Sequence, residues 1–178
     1  MFEGWSDYYV LLGTAAAGLI GLLFVVVTLT ANFERSRALW ASGIYMSPVV
    51  ASFALVLSTS ALTLVPGVTP PAFASLLAIV AMLGLAAAAR TCLGIRKLSR
   101  SDAPPHWSDL WGYGFGPALT YFALEGVAVA MWRQAGWALY LLAALLLILL
   151  LNAIRNAWDL ISWMAPGGPV SPPAPPKD

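Results

Sequence analysis

The chain has 178 residues, 60% hydrophobic and only 10% charged, with a formal net charge of +1. A soluble domain carries about 25% charged residues, so an ordinary soluble globule and a disordered chain are both excluded, and the balanced charge gives no case for nucleic-acid binding. One cysteine and one histidine exclude a disulfide framework and a Cys/His metal site.

What remains is an all-α integral membrane protein, with a mean hydropathy of +0.81. A helix needs about 20 apolar residues to cross a bilayer. Five stretches meet or approach that length: 8–31, 45–65, 72–93, 117–134 and 137–157. They are Ala/Leu-rich and lack two-residue alternation, so helices are expected rather than strands.

The leader, residues 1–7, carries Glu3 and Asp7 and no base. A cleaved signal needs a basic start and a shorter apolar run, so span 1 is expected to be retained. Span 1 contains Gly13, Ala17 and Gly21 at four-residue spacing, with Thr14 and Gly18 beside them. Such a ridge lets two helix backbones approach closely.

Span 2 carries Ser58, Thr59, Ser60 and Thr63 in its outer half and turns through Pro66-Gly67 into span 3. Span 3 ends among Arg90, Arg96, Lys97 and Arg100. The glycines at 112, 114 and 116 then lead into Pro117, a residue suited to a first helical turn. Spans 4 and 5 are joined by Arg133-Gln134-Ala135-Gly136. The architecture expected is therefore one helix plus two hairpins within residues 1–164. After residue 164 come six prolines in fourteen residues, read as a disordered cytoplasmic tail, 165–178.

Orientation follows from the bases. Arg35, Arg37, Arg90, Arg96, Lys97, Arg100, Arg155 and Lys177 fall on one face of a five-span arrangement, and only Arg133 on the other. This puts the N-terminus outside and the C-terminus in the cytoplasm. Trp5, Tyr8, Tyr9, Trp132 and Trp137 mark the outer boundary; Trp107, Trp111, Trp158 and Trp163 mark the inner one. Tryptophan and tyrosine favour the headgroup level.

The two hairpins resemble each other. Aligning 47–67 with 116–136 pairs Pro48 with Pro117, Phe53 with Phe122 and Gly67 with Gly136; aligning 76–90 with 141–155 pairs Arg90 with Arg155. Units 47–96 and 116–161 could thus form a parallel repeat, as in some transporters.

Glu125 is the most informative residue. It lies eight residues from both Pro117 and Arg133, about 12 Å from either end of its helix and so near mid-membrane. A carboxylate there costs a few kcal/mol, so Glu125 is expected to face the bundle with its proton on. Candidate hydroxyl neighbours are Tyr121 one turn away, Thr59 and Thr63 on span 2, and Thr14 on span 1. The functional alternative is a proton-coupling or ligand-binding carboxyl; the structural one is a neutral group gluing helices together. A second constellation, Asn152, Arg155, Asn156 and Asp159, shares one helical face. With Arg90, Arg96 and Lys97 it reads as a lipid-headgroup anchor or a cytoplasmic mouth. An Arg155–Asp159 ion pair is expected from i,i+4 spacing.

Residues 17–25, 61–67 and 152–161 resemble a pattern in small multi-spanning bacterial membrane proteins of unassigned function. The resemblance implies a bacterial inner membrane and no particular activity. Phe115-Gly116-Pro117, Trp132 and Leu151-Asn152 with Trp158 also look like helices of the tryptophan-rich sensory (TspO-like) family. That match is disfavoured, because two further helices should follow where the tail stands.

No GxSxG, HExxH or Walker pattern occurs, so neither an enzyme nor a cofactor is expected. The reading is a structural or regulatory subunit of an oligomeric membrane assembly. The alternative is a small transporter, channel or lipophilic-ligand protein working through Glu125. Expected partners are membrane lipids, anionic ones on the cytoplasmic face, and a second copy or another membrane protein. A cavity reaching Glu125 would favour the alternative; an exposed small-residue ridge would favour the subunit.

Overall fold

The computed structural model describes residues 2–30, 46–98 and 110–164, and among them every regular element is helical. The expectations for Arg35, Arg37, Arg100, Trp107 and the tail 165–178 lie outside the described residues, as do the side chains of Lys97 and Trp163.

Five helices follow in order: α1 (Ser6–Thr30), α2 (Ser47–Thr63), α3 (Pro70–Leu98), α4 (Gly116–Trp132) and α5 (Ala138–Met164). A π-helical turn, Leu110–Phe115, runs directly into α4. Pro48 and Pro117 occupy the first turns of α2 and α4, where a missing N–H breaks no bond.

Four segments are long and apolar enough to cross a membrane: Ser6–Leu29, Pro70–Arg96, Leu110–Trp132 and Ala138–Ser162. The helical part of span 2 is shorter than the apolar run promised. At 17 residues α2 is about 26 Å long, less than the ~30 Å hydrocarbon core. Pro48 sets its start, and the chain leaves the helix at Leu64, ahead of Pro66. In compensation α2 is well covered by protein: it packs against α1, α3 and α5, and Ser52, Phe53, Val56, Thr59 and Ser60 are buried. Helices α3 and α5 instead outrun their apolar stretches. Hydropathy marks the hydrocarbon layer, whereas a helix continues until its backbone is capped.

The most extensive packing joins α3 to α4, across the two expected hairpins, followed by α1 to α2. The core is continuous, from Tyr9, Leu12 and Ala16 through Phe53, Val56, Phe73, Leu77, Leu124, Leu142, Leu146 and Leu149. At the N-terminal end of α1 an aromatic cluster ties three helices together. Phe2 meets Phe73 edge-on at 4.7 Å and Trp5 meets Tyr140 at 5.2 Å, while the Tyr8 hydroxyl donates to the Ala143 carbonyl at 2.8 Å. Tyr9 belongs to the core rather than to a boundary belt, being fully buried.

The turns after α2 and α4 differ. Gly67 takes the left-handed conformation after α2, at φ 72°. After α4 that position falls on Gln134, at φ 57°, and not on the aligned Gly136. Gln134 N–H donates to Met131 O and Ala135 N–H to Ala130 O, both at 2.9 Å, closing the helix end. The aligned phenylalanines also differ, Phe53 being buried and Phe122 facing outward.

Candidate functional site

Helices α3 and α4 run antiparallel, and their contact changes character along its length. Near the middle they close tightly. A Cβ on Gly84 would stand 2.8 Å from the Tyr121 ring and 3.0 Å from Leu55 Cδ1, so only glycine admits the ring. The Tyr121 hydroxyl shares a 2.8 Å hydrogen bond with Ser52 on α2. Tyr121 therefore bonds across the bundle and leaves Glu125 alone.

One turn further towards the α4 C-terminus, side chains shrink and a cavity opens. Ala74, Ser75 and Ala78 of α3 face Glu125, Ala128, Val129, Trp132 and Arg133 of α4 across a cavity of about 440 Å³. Residues 125, 128, 129 and 132 follow i, i+3, i+4, i+7 spacing and so share one face. Ser75, Val129, Trp132 and Arg133 are exposed, so the cavity is a groove open along the lipid-facing side and at its Arg133 end. Glu125, half-buried, forms the end nearest the Tyr121–Gly84 closure. Its Oε1 is buried and has no hydrogen-bond partner.

The expected hydroxyl neighbours lie elsewhere. Thr63 donates to its own helix at Ser60 O, 2.6 Å away. Thr59 and Ser60 are buried with their hydroxyls unpaired, as is Tyr9, but none of these lines the groove. Thr14 faces out of the bundle. The fold thus turns Glu125 towards α3 rather than α2. Ala74, Ser75, Ala78 and Ala128 stand with it, beyond the expected set; the alanines at 74 and 78, together with the i, i+3, i+7 series Glu125, Ala128, Trp132, are the signal for them in the sequence.

The ridge of α1 divides. Gly13 is buried, and a Cβ there would stand 3.1 Å from Ser60 Cβ, so it allows the close α1–α2 approach. Ala17, Gly18 and Gly21 face out of the bundle, and no atom lies within 4 Å of a Cβ built at Gly18 or Gly21.

At the opposite end of the bundle, the Asn152–Asp159 face docks the π-helical turn. Gly112 O accepts from Asn152 Nδ2 at 3.1 Å and from Asn156 Nδ2 at 2.7 Å. The Tyr113 hydroxyl donates to Asn156 O at 2.8 Å and contacts Asp159 Oδ2 at 3.3 Å. The expected Arg155–Asp159 ion pair is not among the contacts of the described residues. Each glycine of the approach has a steric reason. A Cβ would meet Asn156 Oδ1 at 3.1 Å from Gly112, Cys92 Sγ at 2.6 Å from Gly114 and Trp111 O at 2.9 Å from Gly116. Arg90, Arg96 and Arg155 are exposed around this end.

Among the described residues no cluster of three or more His, Cys, Asp or Glu could hold a metal ion. Comparison of the chain with protein-family models, with curated proteins and with solved structures finds no match.

Proposed function

We propose that this is a non-enzymatic membrane protein that takes a lipid-soluble ligand into the α3–α4 groove, with Glu125 as its polar anchor. One observation carries the reading: a buried carboxyl oxygen without a partner at the end of a cavity of about 440 Å³. An unpaired buried polar group costs free energy, and small-molecule sites are concave and mainly apolar, with a few convergent polar groups. A long-chain diazirine probe in lipid nanodiscs tests it. Labelling should concentrate on Ala78, Ala128 and Val129 and fall when Ala128→Trp fills the groove. Labelling no stronger there than on Leu119 or Ile148, which also face outward, would overturn it.

A second reading, a subunit of an oligomeric assembly, is favoured by the uncovered Ala17, Gly18 and Gly21. Ala17→Leu and Gly21→Leu should then break up the oligomer, because bulk is added where backbones would meet. Unchanged particle size in both variants would place this stripe against lipid.

The setting we propose is the bacterial cytoplasmic membrane, crossed five times with α2 included, the N-terminus outside and the C-terminus cytoplasmic. The eight-to-one distribution of bases supports it. A cysteine at Gly4 should react with an impermeant reagent from outside, and a reporter after Lys177 should read cytoplasmic. Both ends on one side would mean an even number of crossings.

A further inference from the structure

We infer that the groove's ligand is a hydrophobic organic cation that exchanges with the proton of Glu125. This rests on the reading of the groove as a ligand site and names the charge of what enters it.

Among the described residues Glu125 makes no ion pair. The elements packed most extensively against α4 are α3, α5 and the π-helical turn; α2, bonded to it through Ser52, carries no titratable group. Their titratable groups in the described segments include Arg90, Cys92 and Arg96 on α3, Tyr113 on the turn, and Tyr140, Arg155 and Asp159 on α5; none of them lines the groove. The one base that does is Arg133, eight residues from Glu125, about 12 Å along the axis. It is exposed, where solvent and salt screen its charge.

The walls suit an organic body. Ala74, Ala78, Ala128 and Val129 offer small apolar surface, and Trp132 contributes an aromatic ring, a surface that attracts cations across its face. The volume falls in the range of small-molecule pockets. An anion would oppose ionisation of Glu125 and gain no counter-charge from it. A neutral donor would satisfy Oε1 only with an ordinary hydrogen bond, whereas a charge-assisted contact is roughly twice as strong.

The exchange balances. The Glu125 O–H bond breaks, the proton passes to water at the Arg133 end, and the ligand's positive charge takes its place beside the carboxylate. No electrons move and the net charge of the site is unchanged.

The test uses the full chain in lipid nanodiscs, with empty discs as the blank and three probes of similar shape: tetraphenylphosphonium, tetraphenylborate and neutral tetraphenylmethane. The expected result is saturable binding of the phosphonium at one per chain. One proton should be released per cation bound. Affinity should rise roughly tenfold per pH unit while Glu125 holds its proton in the unliganded protein. Glu125→Gln should weaken binding at least tenfold and abolish proton release, while Glu125→Asp keeps the release. Should Glu125→Gln fail to fold, Ala128→Trp, which blocks the groove and spares the carboxyl, should remove binding instead. Equal or tighter binding of the borate or of tetraphenylmethane, or phosphonium binding without proton release, would overturn the cation while leaving the groove as a ligand site. Saturable binding of none of the three would overturn both.

Discussion

At its C-terminal half α3 receives the π-helical turn with Gly114 set against Cys92; at its N-terminal half it faces α4 across a groove walled by Ala74, Ala78 and Ala128. Both regions rely on small residues. In the first, every space left by a missing side chain is taken by a neighbour: Cys92 at Gly114, Asn156 at Gly112. The polar groups there are joined as well, Asn152, Asn156 and Tyr113 each having bonds. In the second, the space stays open and the polar group stays unpaired. Small residues in a membrane bundle are therefore not a functional signal by themselves. An unfilled volume beside an unsatisfied group is.

Five substitutions can break or sharpen this contrast. Gly114→Val should have the largest effect, with loss of folded protein on size-exclusion chromatography, because Cys92 already occupies the place of the first added carbon and the turn is held on both sides. If Gly114→Val folds normally, the docking end is looser than described. Asn156→Leu should come next, costing about 2–3 kcal/mol in thermal unfolding: it removes the shorter bond to Gly112 O and adds branched bulk beside a packed turn. Asn152→Ala should cost less, since Asn156 still satisfies that carbonyl.

Tyr121→Phe should cost about 1 kcal/mol, through the lost bond to Ser52. An effect near zero would mean that the Ser52 bond to Pro48 O, also seen at 2.9 Å, is sufficient alone. Glu125→Leu should change stability least, within about 0.5 kcal/mol or towards greater stability, because no hydrogen bond is broken and an unpaired group is removed. A loss as large as that of Asn156→Leu would show that Glu125 has a partner within the chain, and the two regions would then be alike.

Much of this fold is legible in the sequence. The five apolar stretches coincide with five helices, and Pro48 and Pro117 begin helices where a first-turn proline should. The place of Glu125 at the middle of α4 is legible too, because distance along a helix is fixed by residue count. Its direction is not. Every helix of this bundle is apolar nearly all round, so hydropathy does not say which face meets which neighbour. The Ser/Thr-rich end of α2 was the natural partner by composition. The fold instead pairs α4 chiefly with α3, because Gly84 admits the Tyr121 ring at their crossing, and that choice turns Glu125 away from the hydroxyls. The Asn152–Asp159 face was visible as a helical stripe, but its task was not: what it holds is a carbonyl of a distant turn, and no local periodicity records a contact across 40 residues.

With α4 across the membrane as proposed, the closure formed by Tyr121, Gly84 and Ser52 takes on an electrical meaning. Glu125 stands about 12 Å from the Arg133 end, roughly 0.4 of a ~30 Å hydrocarbon layer, and the path onward is stopped by the ring. A proton leaving Glu125 towards the Arg133 end crosses about that fraction of the membrane field. A potential of 100 mV then biases the ionisation by about 0.9 kcal/mol, close to fivefold. In the proposed exchange, a cation entering by the same mouth carries the charge back across the same fraction. On the proposed reading the vacant carboxyl responds to voltage, whereas its one-for-one exchange with a cation is electroneutral and insensitive to the potential.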